Sequence, residues 1–276
     1  MVDFEKALEL VRNRMPLVQC ITNFVTVNDC ANIILAAGGS PSMAHDIREV
    51  EEAVLGAQAL VCNMGAIEDT DAMVLAGRRA NQLGVPVVLD PVAAGGTKLR
   101  RDAAARLLKE VHFSVIRGNA SEIRSISGEQ ATGSGVDVSV SDVITEENLK
   151  ENADRIRQFA KCIDTVIAVS GKIDVVSDGK RTMVIRNGCP VMSRITGSGC
   201  MLTSLIGAFC GAMPKEPFEA ACTAIAAMGV SGEIAERLRL KKGTGNATFR
   251  TDLIDAVFNL TGKQMMEGIC YEIYEG

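Results

Sequence analysis

The sequence predicts an α/β protein with three layers, a central and mostly parallel sheet with helices on both faces. Three observations lead there. Short apolar runs alternate with longer stretches of helical periodicity, the rhythm of βαβ units. Hydrophobic residues make up 47% of the 276-residue chain but aromatic residues only 4%. The core is therefore aliphatic, which suits buried parallel strands and close-packed helices. The best-defined run, residues 85–89, is valine-rich and bounded by Gly84 and Pro91.

Leu17–Ile21 reads as the first strand. Residues 25–37 follow as a helix with Val27, Ala31, Ile34 and Leu35 on one face. Residues 59–62 read as a strand, 69–83 as a helix, 85–89 as a strand and 99–110 as a helix. Residues 113–116 read as a strand, 146–161 as a helix and Val166–Val169 as a strand. Between them, residues 128–141 are rich in Gly, Ser and Thr and read as a loop, an active-site flap or a surface excursion. Residues 173–177 and 181–185 flank Asp178-Gly179, a turn signal that predicts an antiparallel edge.

After residue 196 the pattern is helical. Residues 201–232 are rich in Gly and Ala, so helices can approach closely there. The run is apolar enough for a membrane hairpin, but Lys215, Glu216, Glu219, Glu233 and Glu236 favour a buried helix pair. No composition shift marks a linker, so residues 1–276 are expected to form one domain.

The 29 basic and 34 acidic residues leave a net charge of −5, which argues against nucleic acid as a partner. Two histidines, His45 and His112, are too few for a histidine-rich zinc site. The nine cysteines include no CxxC pair and sit mostly in apolar stretches, as reduced thiols of a cytoplasmic protein would. The charged start Met1–Lys6 does not read as a signal peptide. No uninterrupted apolar run reaches the ~18 residues of a membrane span, so no membrane partner is expected.

Ligands of open α/β sheets bind beyond the carboxyl ends of the strands. The predicted strands are followed there by Asn63-Met64-Gly65, Asp90-Pro91-Val92, Arg117 to Glu122, and Ser170-Gly171-Lys172. Thr196-Gly197-Ser198-Gly199-Cys200 precedes a long helix and would expose backbone N–H groups to an anion. The same glycines also fit a plain tight turn. No GxxxxGK[ST] motif occurs, and the loop does not follow the first strand as a dinucleotide fingerprint does.

Asp90 and Glu122 are the best carboxylates for Mg²⁺, which takes oxygen ligands. Arg117, two residues before Asn119, is placed to clamp a phosphate or to be a surface charge. Asn119 with Glu122 equally fits a capping box. Asn23, Asn28 and Asp29 suit a polar ligand or a helix cap. Met43 suits a core position or a ligand contact.

The segments CITNFVTVNDCAN, SPSMAH, VLDPVAAG, VIRGNASEI, AVSGKIDVV and ITGSGCMLTS, in this order and spacing, resemble hydroxyethylthiazole kinases. The resemblance covers nearly the whole chain, and RGN-x-x-E with TGxGC is its most specific part. It implies a ribokinase-like fold and ATP- and Mg²⁺-dependent phosphorylation of 4-methyl-5-(2-hydroxyethyl)thiazole, in thiamine salvage. It also implies a homotrimer with sites between subunits. Met43, Gly197 and Asn23 would then meet the thiazole, and Arg117, Asn119 and Ser170 the ATP. Asp90 and Glu122 would serve the magnesium. Gly197, Gly199 and Cys200 would form the anion hole, with Cys200 where the substrate hydroxyl approaches.

Three departures stand out. Cys200 replaces the aspartate base of wider ribokinase-like relatives, and a thiol is a poor base near neutral pH unless the helix terminus lowers its pKa. Ser170 stands where threonine is common. Residues 242–249 only loosely resemble the family's glycine motif and receive no role. Competing readings are a hydroxymethylpyrimidine kinase, an ADP- or ATP-dependent NAD(P)H-hydrate dehydratase, whose relatives keep aspartate at the position of Cys200, and a binder without activity.

Overall fold

The computed structural model describes residues 2–128 and 143–274. The chain runs α1 (Phe4–Arg14), β1 (Leu17–Ile21), α2 (Val27–Ala37), β2 (Ser40–Ser42), α3 (Val50–Leu55), β3 (Ala59–Asn63), α4 (Thr70–Leu83) and β4 (Val87–Asp90). It continues through α5 (Lys98–Glu110), β5 (Val115–Gly118), α6 (Ala120–Ile126), α7 (Leu149–Ile163), β6 (Val166–Val169), β7 (Asp174–Ser177) and β8 (Thr182–Ile185). It ends with α8 (Ser198–Ala212), α9 (Pro217–Lys242), α10 (Asn246–Asn259), α11 (Gly262–Gly268) and β9 (Tyr271–Ile273). Of the expected loop over 128–141, all but Gly128 lies outside the described residues.

The strands form one sheet in the order β2-β1-β3-β4-β5-β6-β7-β8-β9. The pairs from β2 to β6 are parallel, and those from β6 to β9 antiparallel. Both faces are buried, so alternate side chains of one strand enter different cores. Ala59 and Val61 of β3 join the core with α1, α2 and α8 to α10. Leu60 and Cys62 join the core with α3 to α7. This is the three-layer arrangement the sequence predicts, and the predicted parallel strands lie within two residues of their expected positions.

Small residues bring α8 onto the sheet. A Cβ on Gly207 would lie 2.5 Å from Val61 Cγ2, and one on Gly211 would lie 2.9 Å from Pro16 Cβ. Only glycine permits that approach. Helix α9 is long and apolar enough to cross a membrane, but 83% of its most apolar window is buried against the rest of the fold. The buried helix pair is therefore correct.

Several elements depart from the expectation, the short helix α3 among them. Helix α1 was not anticipated, although Asp3 caps it and Phe4, Ala7, Leu8 and Val11 bury one face. Strand β2 is three residues long and contains Pro41. The hairpin of β7 and β8 forms as expected but is not the sheet edge, because β9 pairs with β8.

Candidate active site

The carboxyl ends of β1, β3, β4, β5 and β6 lie along one edge of the sheet, and α8 starts above it. Parallel pairing sets Asn63 beside Asp90. Both are buried. Asp90 Oδ2 accepts a hydrogen bond from Asn63 Nδ2 at 3.1 Å and one from Thr203 Oγ1 at 2.8 Å. Arg117 Nη1 lies 3.7 Å from the same oxygen. Asp90 Oδ1 is buried without a hydrogen-bond partner among the described residues. Burial pushes the Asp90 carboxyl up, and Arg117 and Thr203 only partly pull it back.

Arg117 is not a surface charge. It is 9% exposed at the end of β5, and its guanidinium donates to Ser170 Oγ. Asn119 and Glu122 do form a capping box. Asn119 Oδ1 accepts from Glu122 N, and Glu122 Oε2 accepts from Asn119 N, each at 2.8 Å. Glu122 Oε1 also accepts from Ala93 N at 3.0 Å, and Ala93 holds a positive φ of 54°. The cap thus places a second carboxylate near Asp90. Burial first, then the charge of Asp90, pushes Glu122 up to about 7, against Arg117 and the two backbone donors.

The glycine loop is more than a tight turn. Gly197 has φ 82°, and a Cβ there would lie 2.6 Å from Thr26 Cγ2. Among the described residues, no side chain caps α8. The first N–H groups of a helix have no intrahelical acceptor, so this terminus favours an anion.

Cys200 lies in its first turn, with Asn23 Nδ2 3.6 Å from its sulfur. Asn23 Nδ2 is also 3.3 Å from Asn63 Oδ1, and Asn23 Oδ1 accepts from Thr26 N and Oγ1 at 3.1 Å each. The thiol is raised, not lowered. Burial, Asp90 and Cys30 push it up to about 11, against hydrogen bonds from Thr26 and Asn63. Cys200 is protonated at neutral pH.

Among the remaining sequence candidates, Met43 lies past β2, on the same edge one strand out from Asn23, half-buried against the core under α8. Buried Gln19 donates to the Ala44 carbonyl and holds that segment. Asn28 and Asp29 turn to other tasks. Asn28 Oδ1 accepts from Asn32 Nδ2 at 3.0 Å, and Asp29 lies 3.6 Å from Arg250.

Asn63 stands at the expected carboxyl edge, whereas nothing in the sequence pattern points to Thr203 or Asp174. Asp174 Oδ1 accepts from Gly171 N at 2.8 Å and fixes the turn after Ser170. Burial pushes its carboxyl up to about 7, against that bond and Arg117. The folded state therefore binds more protons than the unfolded chain between the ordinary carboxylate range and about 7. This contribution favours the fold at low pH and is lost as pH rises through that window. Asp174→Asn keeps the acceptor but not the titration. Denaturation at several pH values should find wild type losing stability relative to Asp174→Asn as pH rises from 4.5 to 7.5. A constant difference would contradict the assignment.

Comparison with known proteins follows the same pattern. Residues 8–263 match the model of the hydroxyethylthiazole kinase family. The hydroxyethylthiazole kinase of Clostridium acetobutylicum is 44% identical over 272 residues, 98% of this chain and 99% of its own. That of Clostridium beijerinckii is 47% identical over 256 residues, 92% and 91% of the two chains. The solved hydroxyethylthiazole kinase of Pyrococcus horikoshii superposes with a TM-score of 0.86 at 35% identity, covering 100% of both chains. A Bacillus subtilis pyridoxal kinase solved as an ADP complex has a TM-score of 0.56 at 16% identity, over 78% of this chain and 90% of its own, a likeness of fold.

Proposed function

The chain belongs to the hydroxyethylthiazole kinase family, and from that premise we propose how its residues transfer a phosphoryl group to the thiazole alcohol. It is a kinase acting on the hydroxyl of 4-methyl-5-(2-hydroxyethyl)thiazole, a step of thiamine salvage. ATP is the phosphoryl donor. The observation that carries the site assignment is the meeting of Asp90, Arg117 and the N-terminal turns of α8, through the Arg117–Asp90 ion pair and the Thr203–Asp90 hydrogen bond.

Asp90 fits a magnesium site because its Oδ1 is buried and unpartnered. Glu122 uses one lone pair on each oxygen for a backbone N–H, which leaves a second for a cation or its water. Mg²⁺ held there supplies charge neutralisation on the nucleotide phosphates. Arg117, braced by Ser170, holds the phosphate chain, with Asn119 beside it. The N–H groups from Gly197 to Cys200 receive the negative charge of the transferring group. Asn23 and Met43 orient the thiazole so that its hydroxyl faces Cys200.

A thiol pushed up to about 11 is not a base at neutral pH. A loose transition state needs little base assistance. Cys200→Ala is therefore expected to keep turnover within about tenfold of wild type, against the ~10²–10⁴-fold that a general base contributes. Complete loss in a steady-state assay would make the thiol essential.

The reading places the enzyme in the cytoplasm, in keeping with nine cysteines that form no disulfide. We assign it a homotrimeric assembly, supported by Phe24 and Val25, which are 82% and 60% exposed beside Asn23. Light scattering should give three chain masses.

The direct test is ADP release from ATP and Mg²⁺ with the thiazole, beside hydroxymethylpyrimidine and a control without acceptor. Thiazole-dependent release supports the reading. Its absence in folded protein that binds ATP would overturn the substrate assignment.

A further inference from the structure

Asp90 is braced on one oxygen only. Asn63 Nδ2 from β3 and Thr203 Oγ1 from α8 both donate to Oδ2, at 3.1 and 2.8 Å, and Arg117 lies nearest that oxygen too. Oδ1 is buried and has no hydrogen-bond partner among the described residues. A carboxylate without such donors exchanges its oxygens by rotating about Cβ–Cγ. Two donors from different elements hold it in one orientation.

The donors are themselves held. Asn63 Oδ1 accepts from Gly65 N at 2.8 Å and from Asn23 Nδ2 at 3.3 Å, so its amide can present only the nitrogen to Asp90. A Cβ on Gly65 would lie 2.7 Å from the polar tips of both asparagines, which keeps this turn closed around them. The Thr203 hydroxyl is also 3.2 Å from the Gly199 carbonyl, but its single proton goes to the shorter contact with the charged acceptor.

We propose that Asn63 and Thr203 are positioning residues, which occupy Asp90 Oδ2 so that Oδ1 alone is presented to the divalent cation accompanying the nucleotide. The proposal rests on the reading of Asp90 as the carboxylate that serves this cation. Partners of this kind typically change metal affinity by about 10- to 100-fold.

The test is Mn²⁺ binding to the whole protein with ADP, read from the electron paramagnetic resonance of free Mn²⁺. ADP affinity in chelator is measured beside it. Mn²⁺ suits the same oxygen donors as Mg²⁺. Wild type should bind Mn²⁺ in an ADP-dependent way that Asp90→Asn removes. If it does not, the reading of Asp90 fails and the proposal falls with it.

With that established, Thr203→Val should weaken Mn²⁺ binding about 10- to 100-fold and leave metal-free ADP affinity unchanged. Thr203→Ser should restore Mn²⁺ binding. If Thr203→Val does not fold, Asn63→Ala carries the same expectation from the other side. Wild-type Mn²⁺ affinity in the folded variants would overturn the proposal. So would an equal loss of metal-free ADP binding, which would mark the two residues as structural only.

Discussion

Asp90→Asn is expected to remove phosphoryl transfer while leaving the fold at least as stable. Three buried carboxyls, Asp90, Glu122 and Asp174, share the single guanidinium of Arg117. Each is pushed up by burial, and Asp90 raises Glu122 further by repulsion. Asparagine keeps the shape, and its carbonyl still accepts from Asn63 and Thr203. It removes one buried charge and leaves Arg117 two other carboxyls, so no uncompensated cation results. The apo protein should therefore melt at or above the wild-type temperature at pH 8. Activity depends on the charge that is lost. Turnover should fall at least ~10²–10³-fold, the scale of removing one electrostatic contact to a transition state. Steady-state kinetics and thermal denaturation of the same preparation check both halves. Turnover within tenfold of wild type would remove Asp90 from the mechanism.

Gly199→Ala is the second large effect. The new methyl would lie 2.6 Å from Arg117 Nη1, 3.1 Å from Nη2 and 3.2 Å from Cζ. A free arginine tip would swing away, but this one is tied to Ser170 and lies against Asp90. The guanidinium must leave its position or the first turn of α8 must shift, and either disturbs the groups assigned to the phosphates. The helix itself does not suffer, since alanine is the better helix former by about 0.5–1 kcal/mol. Turnover should fall by about 10²–10³-fold, with a raised KM for ATP. Unchanged turnover would exclude both the anion hole and the arginine clamp.

The sheet was legible because its signal is local. Buried parallel strands are short aliphatic runs wherever they occur, and the polar residue after each run marks the carboxyl edge. Strands β2 and β9 carry no such signal. Each is three residues long, and each exists because a longer strand offers it a free edge. Helix α1 was legible in principle, since Asp3 and the spacing of Phe4, Ala7, Leu8 and Val11 form an ordinary capped amphipathic pattern.

The site divides in the same way. Asp90, Glu122, Arg117 and the glycine loop stand in contiguous motifs, and the capping geometry of Asn119 follows from spacing alone. Whether Arg117 faces solvent depends on the layers around β5, which no local pattern encodes. Thr203 is one turn beyond Gly199 in an apolar helix, and only the fold brings it to Asp90. The high pKa of Cys200 has the same origin. The helix terminus favours a thiolate, but burial and a carboxylate from β4 outweigh it.

Catalysis by this chain turns on where the transferring phosphoryl group sits. The direct measurement is a crystal structure with ADP, Mg²⁺, the thiazole and aluminium fluoride as the phosphoryl mimic. The fluoride group is expected against the N–H groups of Gly197 to Cys200, Arg117 on the phosphates, and the cation on the Oδ1 side of Asp90. A fluoride group held elsewhere, or a cation that does not approach Asp90, would contradict this assignment.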